Sequence, residues 1–173
     1  GVKRSGFGRE LGRYATEELS KLYTAGDWLV QQIAREVAHK VTDSSRMRAL
    51  GFCIDANHAQ YMTAQFARRG IAAACLTGAT DHQTRAGLIA QLRGGAINVI
   101  FCVDVFNEGV DIPEVDTLLL LRPTESATVF LQQLGRGLRI AAGKECLTVL
   151  DFVGYAHQRF RFDRRFAAII GGF

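Results

Sequence analysis

The chain has 173 residues, 48 % of them hydrophobic and 22 % charged, which suits one ordinary folded domain and excludes a disordered segment. Its formal net charge is +4, and of 21 basic residues only four are lysine and 17 are arginine. Arginine grips phosphate with a planar two-pronged donor, so nucleic-acid or nucleotide partners suit the bias, as does a simple preference for arginine codons. No apolar stretch approaches the roughly 20 residues of a membrane helix, and the opening residues lack a signal-peptide pattern. A cytoplasmic protein with no membrane association is expected.

Residues 1–14 are rich in Gly and Arg and read as a connector. A helix pattern follows, with Val30, Ile33, Ala34, Val37, Ala38 and Val41 forming one apolar stripe at helical spacing. From about residue 49 the texture changes to short apolar runs at 49–54, 71–76, 97–103, 116–121 and 146–151. Between the first two, Ala59, Met62, Phe66 and Ala67 make a helical face. Between the second and third, residues 82–93 carry Leu88, Ile89 and Leu92. A further helix is expected over 126–139. Continuous apolar strands separated by helices predict an open, mostly parallel α/β sheet sandwiched by helices. Ligands of such sheets sit beyond the C-terminal strand ends, here the loops after Ile54, Leu76, Val103, Leu121 and Asp151. Both prolines, Pro113 and Pro123, lie in or beside these connections.

Cys53, Cys75, Cys102 and Cys146 form no Cys-x-x-Cys pair, and buried reduced thiols of a cytosolic protein are expected rather than a metal site or disulfides. The four histidines, His39, His58, His82 and His157, are isolated in sequence, and surface or helix-cap positions are expected for them.

The segment most suggestive of chemistry is 132–139, Gln-Gln-Leu-Gly-Arg-Gly-Leu-Arg. On a helix, Leu131, Leu134 and Leu138 cluster on one side, with Gln132, Arg136 and Arg139 roughly 120° away. Gly135 and Gly137 each weaken a helix by about 1 kcal/mol relative to alanine, so close approach of a backbone or a phosphate has to justify them. A second segment, 104–116, follows the strand ending at Val103 and places Asp104, Glu108 and Asp111 at the sheet's ligand edge. Asp111 has the chemistry to accept from sugar hydroxyls, and Gly109 permits a tight backbone. No Gly-x-x-x-x-Gly-Lys-Ser/Thr loop and no Gly-x-Gly-x-x-Gly fingerprint is present. The chain therefore has no standard loop with which to hold ATP by itself.

Together the segments 51–59, 107–116 and 132–139 resemble, in order and spacing, the C-terminal RecA-like motor domain of superfamily 2 helicases. The likeness extends over roughly residues 46–155, particularly to the bacterial DEAD/DEAH or restriction-enzyme-motor group. It implies a P-loop-NTPase-type fold without the P-loop, and a nucleic-acid helicase or translocase using ATP and Mg2+ that are held mainly by an N-terminal RecA-like domain of the same polypeptide. It implies Arg136 and Arg139 as catalytic γ-phosphate contacts, with Arg139 the arginine finger. Gln132, Gly109 and Asp111 are implied on the ATP side. Thr77, Gly78, Arg85 and Asp104 are implied as contacts to DNA or RNA. The chain departs from many relatives at Val103, where a threonine hydroxyl would otherwise meet phosphate. The isolated fragment is expected to be inactive.

The domain division that follows is a connector and helix over 1–45, the RecA-like domain over 46–155, and a C-terminal helix over 156–173 leading to a following region. Arg159, Arg161, Arg164 and Arg165 flank Phe162, Phe166 and Ile169 there, a face suited to docking on this or the next domain. The competing reading is a catalytically silent nucleic-acid-binding module of the same fold, against which Arg136 and Arg139 argue. An unrelated α/β nucleotide-binding enzyme is disfavoured by the missing glycine fingerprints.

Overall fold

The structure is a computed structural model that describes residues 16, 17, 20, 21, 23–103, 112–122 and 147–152. In chain order it contains α1 (Asp27–Lys40), β1 (Ala49–Phe52), α2 (Ala56–Arg68), β2 (Ala73–Leu76), α3 (His82–Gly94), β3 (Val99–Cys102), β4 (Thr117–Leu120) and β5 (Thr148–Asp151). The strands form one sheet in the order β2-β3-β1-β4-β5, and every neighbouring pair is parallel. Each strand is shorter than the apolar run that announced it, because the flanking residues leave the ladder for the connections. The helix expected over 126–139 and the C-terminal helix over 156–173 lie outside the described residues.

The unbroken apolar runs follow from burial on both sheet faces. Alternate residues point to opposite sides of a strand, so Leu50, Phe52, Ile100, Cys102, Leu118 and Leu120 join one cluster with Leu92, Ile112 and Val115. Their neighbours Ala49, Cys53, Val99, Phe101, Leu119 and Leu121 join a second cluster with residues of α1 and α2. Burying a side chain such as Leu119 stabilises the fold by about 1.5–3 kcal/mol.

The helical stripes are placed as their spacing predicts, with shifts at the margins. On α1, Leu29, Val30, Ile33 and Val37 are buried, whereas Ala38 is exposed and Val41 is the residue that caps the helix rather than part of it. On α2, Ala59, Met62 and Phe66 are buried and Ala67 is exposed. On α3 only Leu92 is buried, with Leu88 and Ile89 packed at the cluster's edge. The C-terminus of α3 is tied to the start of β1 by Arg48, whose Nε donates to the carbonyls of Leu92 (3.2 Å) and Arg93 (3.0 Å). There a cation meets the negative end of the helix and occupies carbonyls that have no partner within it. Gly95 ends α3 in the left-handed region with φ +80°, where glycine carries no Cβ penalty.

The topology decides where a ligand can sit. From β1 the chain passes to β2 on one side of the sheet, whereas from β4 it passes to β5 on the other. The two strands are adjacent, so their exits diverge, and a crevice outside the carboxyl ends belongs at such a divergence. Ile54 and Arg122 stand at these two exits.

Candidate functional site

The β1–α2 turn is built by hydrogen bonds from several parts of the chain. Asp55 N-caps α2, its Oδ1 accepting from the His58 amide at 2.8 Å. The same oxygen accepts from the Ser20 hydroxyl at 2.9 Å, which fastens the segment ahead of α1 to the sheet's edge. The Ile54 amide donates to Nδ1 of His58 at 3.2 Å. Nδ1 is therefore the acceptor and the ring proton sits on Nε2, which is buried without a hydrogen-bond partner among the described residues. The Tyr23 ring packs against the imidazole with centroids 4.7 Å apart. Burial pushes the His58 pKa down to about 4, with the Asp55 charge opposing it. Burial also raises Tyr23 to about 12, helped by Asp151 and Cys53. On the other flank, Arg122 Nη1 donates to the Ile54 carbonyl at 3.1 Å.

His58 departs from the surface or helix-cap position expected of it. It lies in the first turn of α2, as a cap residue would, but its side chain is fully buried because the Ile54 amide needs an acceptor where the strand has stopped. His39 and His82 are exposed, as expected, and His157 lies outside the described residues. Cys53 and Cys102 are buried and Cys75 half-buried, all as free thiols. Burial, with Cys102 and Cys75 nearby, holds the Cys53 thiol well above its usual range, so it stays protonated and a poor nucleophile.

The β2–α3 turn carries Thr77 and Gly78, with Arg85 in the first turn of α3 behind them. Much of its polar surface is already used. The Thr77 amide donates to the Thr80 hydroxyl at 3.0 Å, and the Ala79 amide donates to Thr77 Oγ1 at 3.3 Å. Asp81 caps α3, accepting from the Thr84 amide (2.9 Å) and hydroxyl (2.6 Å), and these bonds hold its carboxyl below the usual range. The Gly78 amide has no partner among the described residues, and a Cβ built on Gly78 meets nothing within 4 Å. Neither packing nor backbone conformation requires glycine there. Its small size instead leaves the turn open to an approaching backbone or phosphate. Arg85 is half-buried, and its Nε lies buried without a hydrogen-bond partner among the described residues.

The remaining expected site residues, Asp104, Gly109, Asp111, Gln132, Arg136 and Arg139, lie outside the described residues. Val103, where the resemblance leads one to expect threonine, packs against the cluster that contains Phe101 and Leu121. Among the described residues no group of three His, Cys, Asp or Glu side chains is placed to hold a metal ion, and no helix is long and apolar enough to cross a membrane. Sequence reasoning missed Ser20, Tyr23, His58 and Arg122 at the edge. Only Arg122 carried a local signal, a charge directly after the Leu118–Leu121 run.

Residues 29–141 match the helicase conserved C-terminal domain. The chain belongs to that family. Among curated relatives of this helicase domain, IRC3 of Saccharomyces cerevisiae, which carries the name of an ATP-dependent helicase, is 33 % identical over 122 residues, 70 % of this chain. The Schizosaccharomyces pombe irc3, whose name adds a mitochondrial location, is 38 % identical over 109 residues, 63 % of this chain. The chain spans only 18 % of the length of each. Among solved structures, the E. coli DEAD-box protein SrmB aligns with a TM-score of 0.58 at 24 % identity, over 77 % of this chain and 76 % of that one. Dbp5 of S. cerevisiae aligns at 0.60 and 18 % identity, over 82 % of this chain and 36 % of that one. These likenesses show the fold, a RecA-like helicase domain, and agree with the parallel five-stranded sheet.

Proposed function

We propose that this chain is the second motor domain of an ATP-dependent nucleic-acid helicase or translocase, with residues 46–155 as the RecA-like unit and 156–173 leading into a following region. The observation that carries the proposal is the family match over residues 29–141, which spans both arginines of the 132–139 segment. A partner RecA-like domain of the same polypeptide holds most of ATP and its Mg2+. This assignment suits a chain without a phosphate loop. Arg136 and Arg139 reach the γ-phosphate when the two domains close, with Gln132, Gly109 and Asp111 on the nucleotide side of the cleft. Phosphoryl transfer to water then proceeds by positioning and charge stabilisation. Thr77, Gly78, Arg85 and Asp104 face the phosphates of a DNA or RNA strand, gripped mainly through its backbone, and opening and closing of the cleft shifts that grip. Free thiols at Cys53, Cys75 and Cys102 suit a reducing compartment such as the cytoplasm.

The test is nucleic-acid-stimulated ATP hydrolysis by the full-length protein. Arg139→Ala lowers kcat by about 10³-fold or more, the range for loss of an arginine finger, with far less change in nucleotide affinity. Arg139→Lys does not restore it, since one ammonium cannot reproduce the planar fork. Hydrolysis by the alanine variant within a few-fold of wild type rules the assignment out. The isolated chain hydrolyses ATP no faster than background.

A further inference from the structure

The ladder between β1 and β4 ends in an unusual way. In a parallel ladder, amides of every second residue on one strand donate to every second carbonyl of its neighbour. Along this edge the Thr117 amide donates to the Arg48 carbonyl at 3.3 Å, and the Leu121 amide to the Phe52 carbonyl at 3.1 Å. Extended by one more step, that series would require the amide of residue 123 for the carbonyl of Ile54. Residue 123 is proline and has no amide hydrogen. The rung is made instead by a side chain, with Arg122 Nη1 donating to the Ile54 carbonyl at 3.1 Å.

Proline at 123 cannot form that rung, and Arg122 satisfies the Ile54 carbonyl in its place. The sequence that continues from residue 123 is the one bearing Gln132, Arg136 and Arg139. The residues around that carbonyl are themselves held. The Ile54 amide is bound to His58, and Asp55 is bound to both the His58 amide and Ser20. A continuous hydrogen-bonded path therefore runs from Ser20, ahead of α1, through Asp55, His58 and Ile54 to Arg122.

We propose that Arg122 is a positioning residue for ATP hydrolysis. It anchors the end of β4, from which the sequence runs on to the arginine-bearing segment, to the β1–α2 turn. The proposal rests on the motor-domain reading given above. The Arg122 guanidinium itself need not touch nucleotide, because it acts through the strand end it holds.

The test measures nucleic-acid-stimulated ATPase kinetics and thermal unfolding of the full-length protein. Arg122→Ala is expected to lower kcat about 10- to 100-fold, the scale of loss from misplacing a catalytic group by about an ångström. KM for ATP should stay within about threefold, because the transition-state contact rather than ground-state binding is disturbed. Arg122→Lys is expected to recover most of kcat, since a single ammonium donor suffices for one carbonyl. Lysine at 139, which has to replace a fork, gives no such recovery. The proposal is overturned if Arg122→Ala keeps kcat within about twofold of wild type, if Lys fails to rescue, or if the lost activity is matched by unfolding at the assay temperature. Arg139→Ala, measured alongside, separates the two ideas. An inactive Arg139→Ala beside a fully active Arg122→Ala removes only the positioning role, whereas an active Arg139→Ala removes the motor-domain reading itself.

Discussion

Gly51 lies directly across the β1–β3 ladder from Phe101, and the phenyl ring fills the space that a side chain on Gly51 would need. A Cβ there would stand 2.6 Å from Cε1 of that ring. The ring is in turn fixed by Phe66 of α2, edge-on at a centroid distance of 5.0 Å. Glycine in the central strand is thus required by packing, and it allows α2 and β3 to share one large aromatic contact.

Gly51→Ala is therefore expected to destabilise the domain by about 1–3 kcal/mol, the cost of overpacking a close-packed core. The midpoint of urea unfolding reads this directly. Gly51→Ala combined with Phe101→Leu should recover part of the loss, because the smaller side chain gives up the disputed volume. An alanine variant as stable as wild type would show that the ring moves aside at no cost.

His58 makes stability depend on pH in a defined direction. Its folded pKa of about 4 lies below its ordinary 6.5. Between those values the unfolded chain takes up a proton that the folded chain refuses. The contribution is therefore complete above about pH 6.5 and is lost as pH falls toward 4, amounting to roughly 3 kcal/mol. His58→Gln does not titrate and keeps an oxygen acceptor for the Ile54 amide. Its unfolding free energy should fall less steeply than that of wild type across this range, the carboxylates contributing equally to both. Parallel profiles for the two proteins would contradict the buried neutral imidazole.

Stability and strand binding should separate at Gly78. The position needs neither a left-handed backbone nor the absence of a neighbour, so Gly78→Val should leave the unfolding midpoint nearly unchanged. It should nevertheless weaken single-strand affinity, measured by fluorescence anisotropy in the full-length protein, because the methyl groups occupy the approach to the open amide. Arg85→Ala should reduce the dependence of log affinity on log salt by about 0.7 if Arg85 neutralises one phosphate. An unchanged salt slope would take Arg85 out of the strand track, and unchanged affinity in Gly78→Val would do the same for the turn.

Sequence alone determined the parallel sheet and most of the helix faces. Runs such as Leu118–Leu121 have to be buried on both sides, and apolar residues at helical spacing can only face a core. It also brought together the segments that resemble helicase motor domains, because spacing along the chain is enough to recognise them. It did not reveal the hub at the β1–α2 turn. Ser20 and Asp55 are 35 residues apart, and Arg122 and Ile54 are 68 apart, and no local pattern links positions so distant. His58 reads from sequence as a surface or helix-cap residue, because a lone histidine in a polar helix start has no periodic signature. Its burial follows only once Tyr23 packs over it and the Ile54 amide, at the end of β1, needs an acceptor. The role of Arg122 likewise required the register of β1 against β4, since only that register shows which carbonyl Pro123 leaves without an amide donor.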